Sequence, residues 1–174
     1  MLVPAEWGHL ENSLLRWAWI GAILFGLGLV GAGFFMVAQG RMAHDDVRDA
    51  LSAERIVTPE DAALPNTPVT GPAEAKAQAD AIWTHVMTQT GGRTYAELAR
   101  EDPLRTTYLQ SVTLRTALME SYLAFKVADL VVGVGLIVAL LGASQVVLGV
   151  YLGLLTRSKR IGVTAASQPA LGTS

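Results

Sequence analysis

Residues Trp17–Ala38 read WAWIGAILFGLGLVGAGFFMVA, 22 positions without one charged side chain. A helix rises about 1.5 Å per residue and the hydrocarbon core of a bilayer is about 30 Å thick, so roughly 20 apolar residues cross it. The same measure selects Val127–Leu155, VADLVVGVGLIVALLGASQVVLGVYLGLL, in which Asp129 near the start is the one charged position. These two blocks decide the fold class: an all-α membrane protein whose two transmembrane helices form a hairpin around a helical extramembrane segment. The division is residues 1–16 as a cytoplasmic or interfacial N-terminus, 17–38 and 127–155 as spans, 39–126 as the segment between them, and 156–174 as a basic tail.

Composition agrees, with 51% hydrophobic and only 16% charged residues. The first apolar run is longer than the roughly 7 to 15 residues of a signal-peptide core, and Ala38-Gln39-Gly40 is a poor cleavage site, so the block reads as a retained anchor. The chain has no cysteine, which excludes disulfides, thiolate metal sites, iron–sulfur clusters and a Cys nucleophile. Its net charge of −2 argues against a nucleic-acid partner.

Orientation follows from basic flanks, because Lys and Arg next to a span resist translocation. Arg157, Lys159 and Arg160 follow the second span without an acidic neighbour, and Arg16 precedes the first. Both termini are expected in the cytoplasm of a cell-membrane protein, with the long segment facing outward. Its Arg41, Arg48 and Lys126 weigh less, since long segments cross largely regardless of charge.

Trp7, His9, Trp17 and Trp19 suit a lead-in at the lipid headgroups. Beyond Gln39 the helical pattern is expected to continue to about Arg55. Thr58-Pro59-Glu60-Asp61 has the order of a short helix start, Thr as N-cap and Pro at the first helical position. Pro65 to Pro72 is rich in turn formers and reads as a loop. An alanine-rich helix is expected from Pro72 to about Thr90, with Ile82, Val86 and Ala79 on its apolar side and Gly91-Gly92 ending it. Thr94-Tyr95-Ala96-Glu97 has capping-box spacing, predicting a short helix to about Glu101. Asp102-Pro103 starts the next helix, and no breaker separates it from the second span. The Gly162–Ser174 tail reads as disordered in isolation.

Gly26-Leu27-Gly28-Leu29-Val30-Gly31 matches a dinucleotide-binding string but sits inside an apolar span, where small residues serve helix packing instead. Ala22 with Gly26, Gly28 with Ala32, Gly135 with Ala139, Ala139 with Ala143 and Gly149 with Gly153 are four apart, the spacing that lets helix backbones approach. Gln145 in the second span favours a protein-facing environment. Lys126 and Asp129 are expected to pair at the membrane edge. His44, Asp45, Asp46 and His85 are the candidates for a two-His, one-carboxylate metal site, set against the plainer reading of a hydrated acidic helix face. No Ser–His–Asp, P-loop, zinc-protease or haem-attachment pattern is present, so no catalytic residue, cofactor or metal ligand is assigned.

The stretches Ala53-Glu54-Arg55-Ile56-Val57-Thr58-Pro59-Glu60-Asp61-Ala62, Gly71-Pro72-Ala73 with Ala77-Gln78-Ala79-Asp80, and Gly91-Gly92-Arg93-Thr94-Tyr95-Ala96-Glu97-Leu98 followed by Asp102-Pro103-Leu104-Arg105 carry a resemblance. Over roughly residues 17–157 the chain resembles a family of small actinobacterial two-span membrane proteins of unsettled role, some labelled aromatic ring-opening dioxygenases. The shared motifs are caps and turns, so the resemblance implies the two-span fold and transfers no catalytic residue. The expected function is a non-catalytic membrane subunit, surrounded by lipid, that docks on or helps assemble a larger membrane complex, a respiratory one among the candidates. A self-assembling homo-oligomer is the first alternative, and a metal-dependent or redox enzyme using His44 and His85 the second.

Overall fold

A computed structural model describes residues 7–165, with side-chain surroundings for residues 17–157. Three helices make up the described fold: α1 (Trp7–Ala53), α2 (Pro72–Gln89) and α3 (Leu104–Ala165). The expected continuation of α1 beyond Gln39 is present, and α3 runs unbroken from the Asp102-Pro103 start into the second apolar block. The side chains of Trp7 and His9, and most of the tail, lie outside the described residues.

The chain divides into two compact units, one made of the residues up to Met36 with those from Val134 onward, the other Val37–Gly133. In the first unit α1 and α3 meet along glycines. In the second, the C-terminal part of α1 and the N-terminal part of α3 pack with α2 and its loops around two apolar clusters. The larger holds Leu51, Val69, Ala75, Ala79, Leu118 and Phe125. The smaller holds Val86, Leu98 and Tyr108, with Trp83 and Tyr95 packed against them.

Helix α2 follows from its composition. Pro72 at the first position has no N–H to satisfy, and the alanines cost little side-chain entropy. Ala75, Ala77, Ala79 and Ala81 are buried along with Val86, so the side expected from Ile82, Val86 and Ala79 is broader than one stripe. Small side chains let neighbouring elements approach α2 on two sides. Its end is a Schellman turn: Gly92 N–H donates to Met87 O at 2.8 Å and Gly91 N–H to Thr88 O at 3.2 Å. Gly91 takes φ +62° there, in the left-handed region open to glycine.

The Thr58-Pro59-Glu60-Asp61 helix start does not form. The segment is instead a closed loop, with an antiparallel bridge between Val57 and Pro68. Thr58 is buried, 1% exposed, and turns its hydroxyl inward. That oxygen donates to the Leu64 carbonyl and accepts from Thr67 N–H at 2.9 Å. Loop closure thus takes the hydroxyl that an N-cap would have used, and Asn66 adopts φ 51° to complete the reversal. Replacing Thr58 with valine keeps the shape but leaves Thr67 N–H without its acceptor. The expected loss is about 1–3 kcal/mol, read from chemical unfolding, with faster amide exchange confined to residues 56–69.

The short helix expected after Thr94 is a single turn, in which Glu97 N–H and Leu98 N–H both donate to Thr94 O. Half of the capping box is in place: the Glu97 carboxylate accepts from Thr94 N–H at 2.7 Å and from the Thr94 hydroxyl at 2.8 Å. Because that hydroxyl donates to the carboxylate, the box does not propagate a helix. Asp102 Oδ1 accepts from Leu104 N–H at 2.9 Å and opens α3 as expected.

Candidate functional site

The apolar helices are where sequence and structure converge first. The most apolar 18-residue windows of α1 and α3 have mean hydropathies of 2.3 and 2.4, yet only 17% and 11% of those windows are buried within the chain. A helix from the core of a water-soluble protein would have most of that surface covered. Phe25, Phe34, Phe35, Ile137 and Leu140, all above 59% exposed, line the uncovered sides.

At the glycines between the two helices there is no room for a side chain. A methyl group built on Gly33 would lie 2.5 Å from the Gly135 carbonyl oxygen and 2.6 Å from Ala139 N. One on Gly26 would lie 2.7 Å from Gly142 O, and one on Gly142 2.6 Å from both Gly26 O and Val30 N. Gly149 and Gly153 meet Ile23 and Trp19 in the same way. The contacts step backward along α3 as they step forward along α1. Within the second unit Gly40 meets Val132 and the Ala128 carbonyl.

The contact glycines recur every seven residues: Gly26, Gly33 and Gly40 on α1, and Gly135, Gly142 and Gly149 on α3. Beside them run two further seven-residue series, Ile23, Val30, Val37, His44 and Leu51 on α1, and Leu118, Phe125, Val132, Ala139, Val146 and Gly153 on α3. A strict heptad is the pattern that keeps two helices facing each other, because it removes the drift of a 3.6-residue turn. Gly33, Gly40 and Gly142 are contact residues that four-residue spacing does not reveal, and the seven-residue period is the signal that finds them. Of the residues singled out from sequence, Gly26, Gly135, Ala139, Gly149 and Gly153 lie on this seam. Ala22 and Gln145 are half-buried. Gly28, Ala32 and Ala143 are exposed, and a methyl group on Gly28 would meet nothing within 4 Å.

The proposed membrane-edge ion pair is not made. Lys126 Nζ lies 5.6 Å from the centroid of the Tyr122 ring, one helical turn back, and Asp129 is exposed. A π face at i−4 takes the ammonium while leaving it in water, so Asp129 does not need to bend toward it.

His44 and His85 are engaged in different places. His44 sits in the heptad series, its ring 4.7 Å from that of Phe125 in an edge arrangement. His85 Nε2 lies 2.6 Å from Asp61 Oδ2, tying the 54–71 loop to α2. That hydrogen bond holds the Asp61 carboxyl below its ordinary value. Asp45 and Asp46 remain exposed, so the ligand set His44, Asp45, Asp46 and His85 does not assemble. No group of three or more His, Asp or Glu suited to a metal occurs among the described residues.

Around the smaller cluster runs a ladder of rings and cations. The Arg105 guanidinium stands 3.9 Å over Tyr95, Tyr95 and Trp83 both approach Tyr108, and the Arg115 guanidinium stands 4.7 Å over Trp83. These contacts fasten α2 and the 90–103 turn to α3, each cation–π pair worth about 0.5–2 kcal/mol.

Compared with known proteins, the chain matches no family model, no curated protein and no solved structure. What sequence and structure define together is an all-helical chain with two helices long and apolar enough to cross a membrane.

Proposed function

We propose that the chain is a non-catalytic subunit of a larger membrane complex, inserted as a two-span hairpin of the cell membrane with both termini in the cytoplasm. Membership of the small actinobacterial two-span family belongs to the same reading. The observation that carries it is the division of small residues in the apolar helices. One set of glycines is consumed by the seam, while Gly28, Ala32 and Ala143 remain on surface that no described residue covers. In a bilayer, where lipid tails are as apolar as leucine, small residues promote helix association by letting backbones approach, so an unused small surface favours a further helix.

Purification in mild detergent, followed by native mass spectrometry, is expected to show the chain bound to a different membrane protein. Gly28→Leu should release that partner without unfolding the chain. A monomer alone contradicts the reading, and a complex of identical chains replaces it with self-assembly. Orientation has its own test, since the native chain offers no thiol. A Thr70→Cys chain should react with a membrane-impermeant maleimide in intact cells, and a Ser167→Cys chain only after lysis. The reverse pattern would invert the topology.

A further inference from the structure

Within the first unit the start of the α1 apolar block and the end of the α3 block meet: the Trp19 ring packs on Gly153, and Gly149 meets Ile23 and the Trp19 carbonyl. Around that contact the side chains sort by chemistry along the helix axis. Trp17, Tyr151, Leu154 and Leu155 are exposed, and the rings of Trp17 and Tyr151 are of the amphipathic kind that settles at the headgroup level of a bilayer. Arg157 follows four residues beyond Gly153 and is exposed as well. At 1.5 Å per residue it stands about 6 Å farther along α3 than the Trp19 contact, a distance comparable to the thickness of a headgroup layer.

Charge here has one sign. Lys159 and Arg160 continue the series by sequence, and the last acidic residue of the whole chain is Asp129, at the far end of the α3 apolar block. The ion pairs among the described residues all lie within residues 61–102, so none of them neutralises Arg157. The neighbouring Thr156 hydroxyl is already taken by the Gly153 carbonyl, which leaves the cations as the groups open at this level. The sequence at the opposite ends of the two blocks mixes signs instead, with Arg41, Asp45, Asp46, Arg48 and Asp49 after the first and Lys126 with Asp129 at the start of the second.

A free anion would answer the cations but not the apolar surface one turn before them, and a lipid without net charge would answer the surface but leave the cations uncompensated. An acyl chain joined to a headgroup of net negative charge complements both at this spacing, and basic residues directly next to a span attract such headgroups. We propose that the end of the first unit carrying Trp17, Tyr151 and Arg157, followed by Lys159 and Arg160, selects acidic phospholipid from the bilayer. This rests on the two-span reading above and names the class of lipid held at this end.

The test places the full chain in nanodiscs of phosphatidylcholine with a minority of phosphatidylglycerol, and brominates the acyl chains of either the phosphatidylglycerol or an equal amount of phosphatidylcholine. Bromine quenches tryptophan on contact, so Trp17 and Trp19 report which lipid lies beside them, and a nanodisc offers both faces, so the direction of insertion does not matter. Phosphatidylglycerol is expected to be enriched at least about fivefold over its share, the effect of a single cation held near an anionic headgroup. Combined Arg157→Gln, Lys159→Gln and Arg160→Gln should bring the enrichment below about twofold while leaving quenching by phosphatidylcholine in place, and Arg157→Lys, which keeps the charge, should keep the enrichment. Added inorganic phosphate should not displace the lipid. Equal quenching by the two lipids, enrichment that survives the triple substitution, its loss in Arg157→Lys, or its loss to inorganic phosphate overturns the proposal and leaves the two-span reading standing. No quenching by either lipid overturns both.

Discussion

Replacing Phe125 with alanine is expected to cost about 3–5 kcal/mol, the range for emptying a fully buried aromatic site. Phe125 is 0% exposed and sits among Leu51, Val69, Ala75, Ala79 and Leu118, so its ring joins the end of α1, the loop, the start of α2 and the middle of α3. It also takes the edge contact with His44. The residues facing it from α2 are alanines, whose single methyl groups are too short to fill the space. Chemical unfolding in detergent, followed by Trp83 fluorescence, should show the loss. Leu123→Ala, two positions away and 61% exposed, should change stability by less than about 0.5 kcal/mol. Equal costs for the two variants would mean that the cluster around Phe125 is not the support of the 37–133 unit.

The second large effect belongs to the seam. Gly33→Leu must place a branched side chain where a single methyl would already lie 2.5 Å from the Gly135 carbonyl oxygen. The atoms in the way are backbone on a facing helix, so relief requires the helices to separate. The expected cost is about 1–3 kcal/mol, with the upper end favoured by the absence of any yielding side chain. Gly28→Leu, with nothing within 4 Å, is the control, and it should leave unfolding unchanged while releasing a partner held on that surface. Thermal unfolding of the two variants in the same detergent separates them. A Gly28→Leu chain as unstable as Gly33→Leu would place the seam on the wrong side of α1.

Much of this architecture is a consequence of local chemistry and was legible as such. The uncharged blocks fix two long apolar helices, each long enough to cross a bilayer. Pro72, the alanine run and Gly91-Gly92 fix α2 almost to the residue, because each acts through backbone entropy, a missing donor or a positive φ, and none of these needs a distant partner. Asp102 before Pro103 likewise announces α3.

The tertiary structure decided matters where one group had several local uses. Thr58 before Pro59 has the form of an N-cap, yet its hydroxyl is spent nine residues away on Thr67, a choice made by loop closure. The Thr94 hydroxyl is spent on Glu97, three residues on, where it had the alternative of capping. Lys126 has Tyr122 and Asp129 both within a helical turn, and the ring takes the ammonium. His44 and His85 carry no mark of their different fates, one against Phe125 and one against Asp61, because those neighbours come from other elements. Small residues four apart say that a helix can be approached closely but not from which side. Only the pairing of two helices turns the seven-residue series of Gly26, Gly33 and Gly40, and of Gly135, Gly142 and Gly149, into a contact, and leaves Gly28, Ala32 and Ala143 outside it. Period along one helix is a property of sequence, and the face that a second helix covers is a property of the pair.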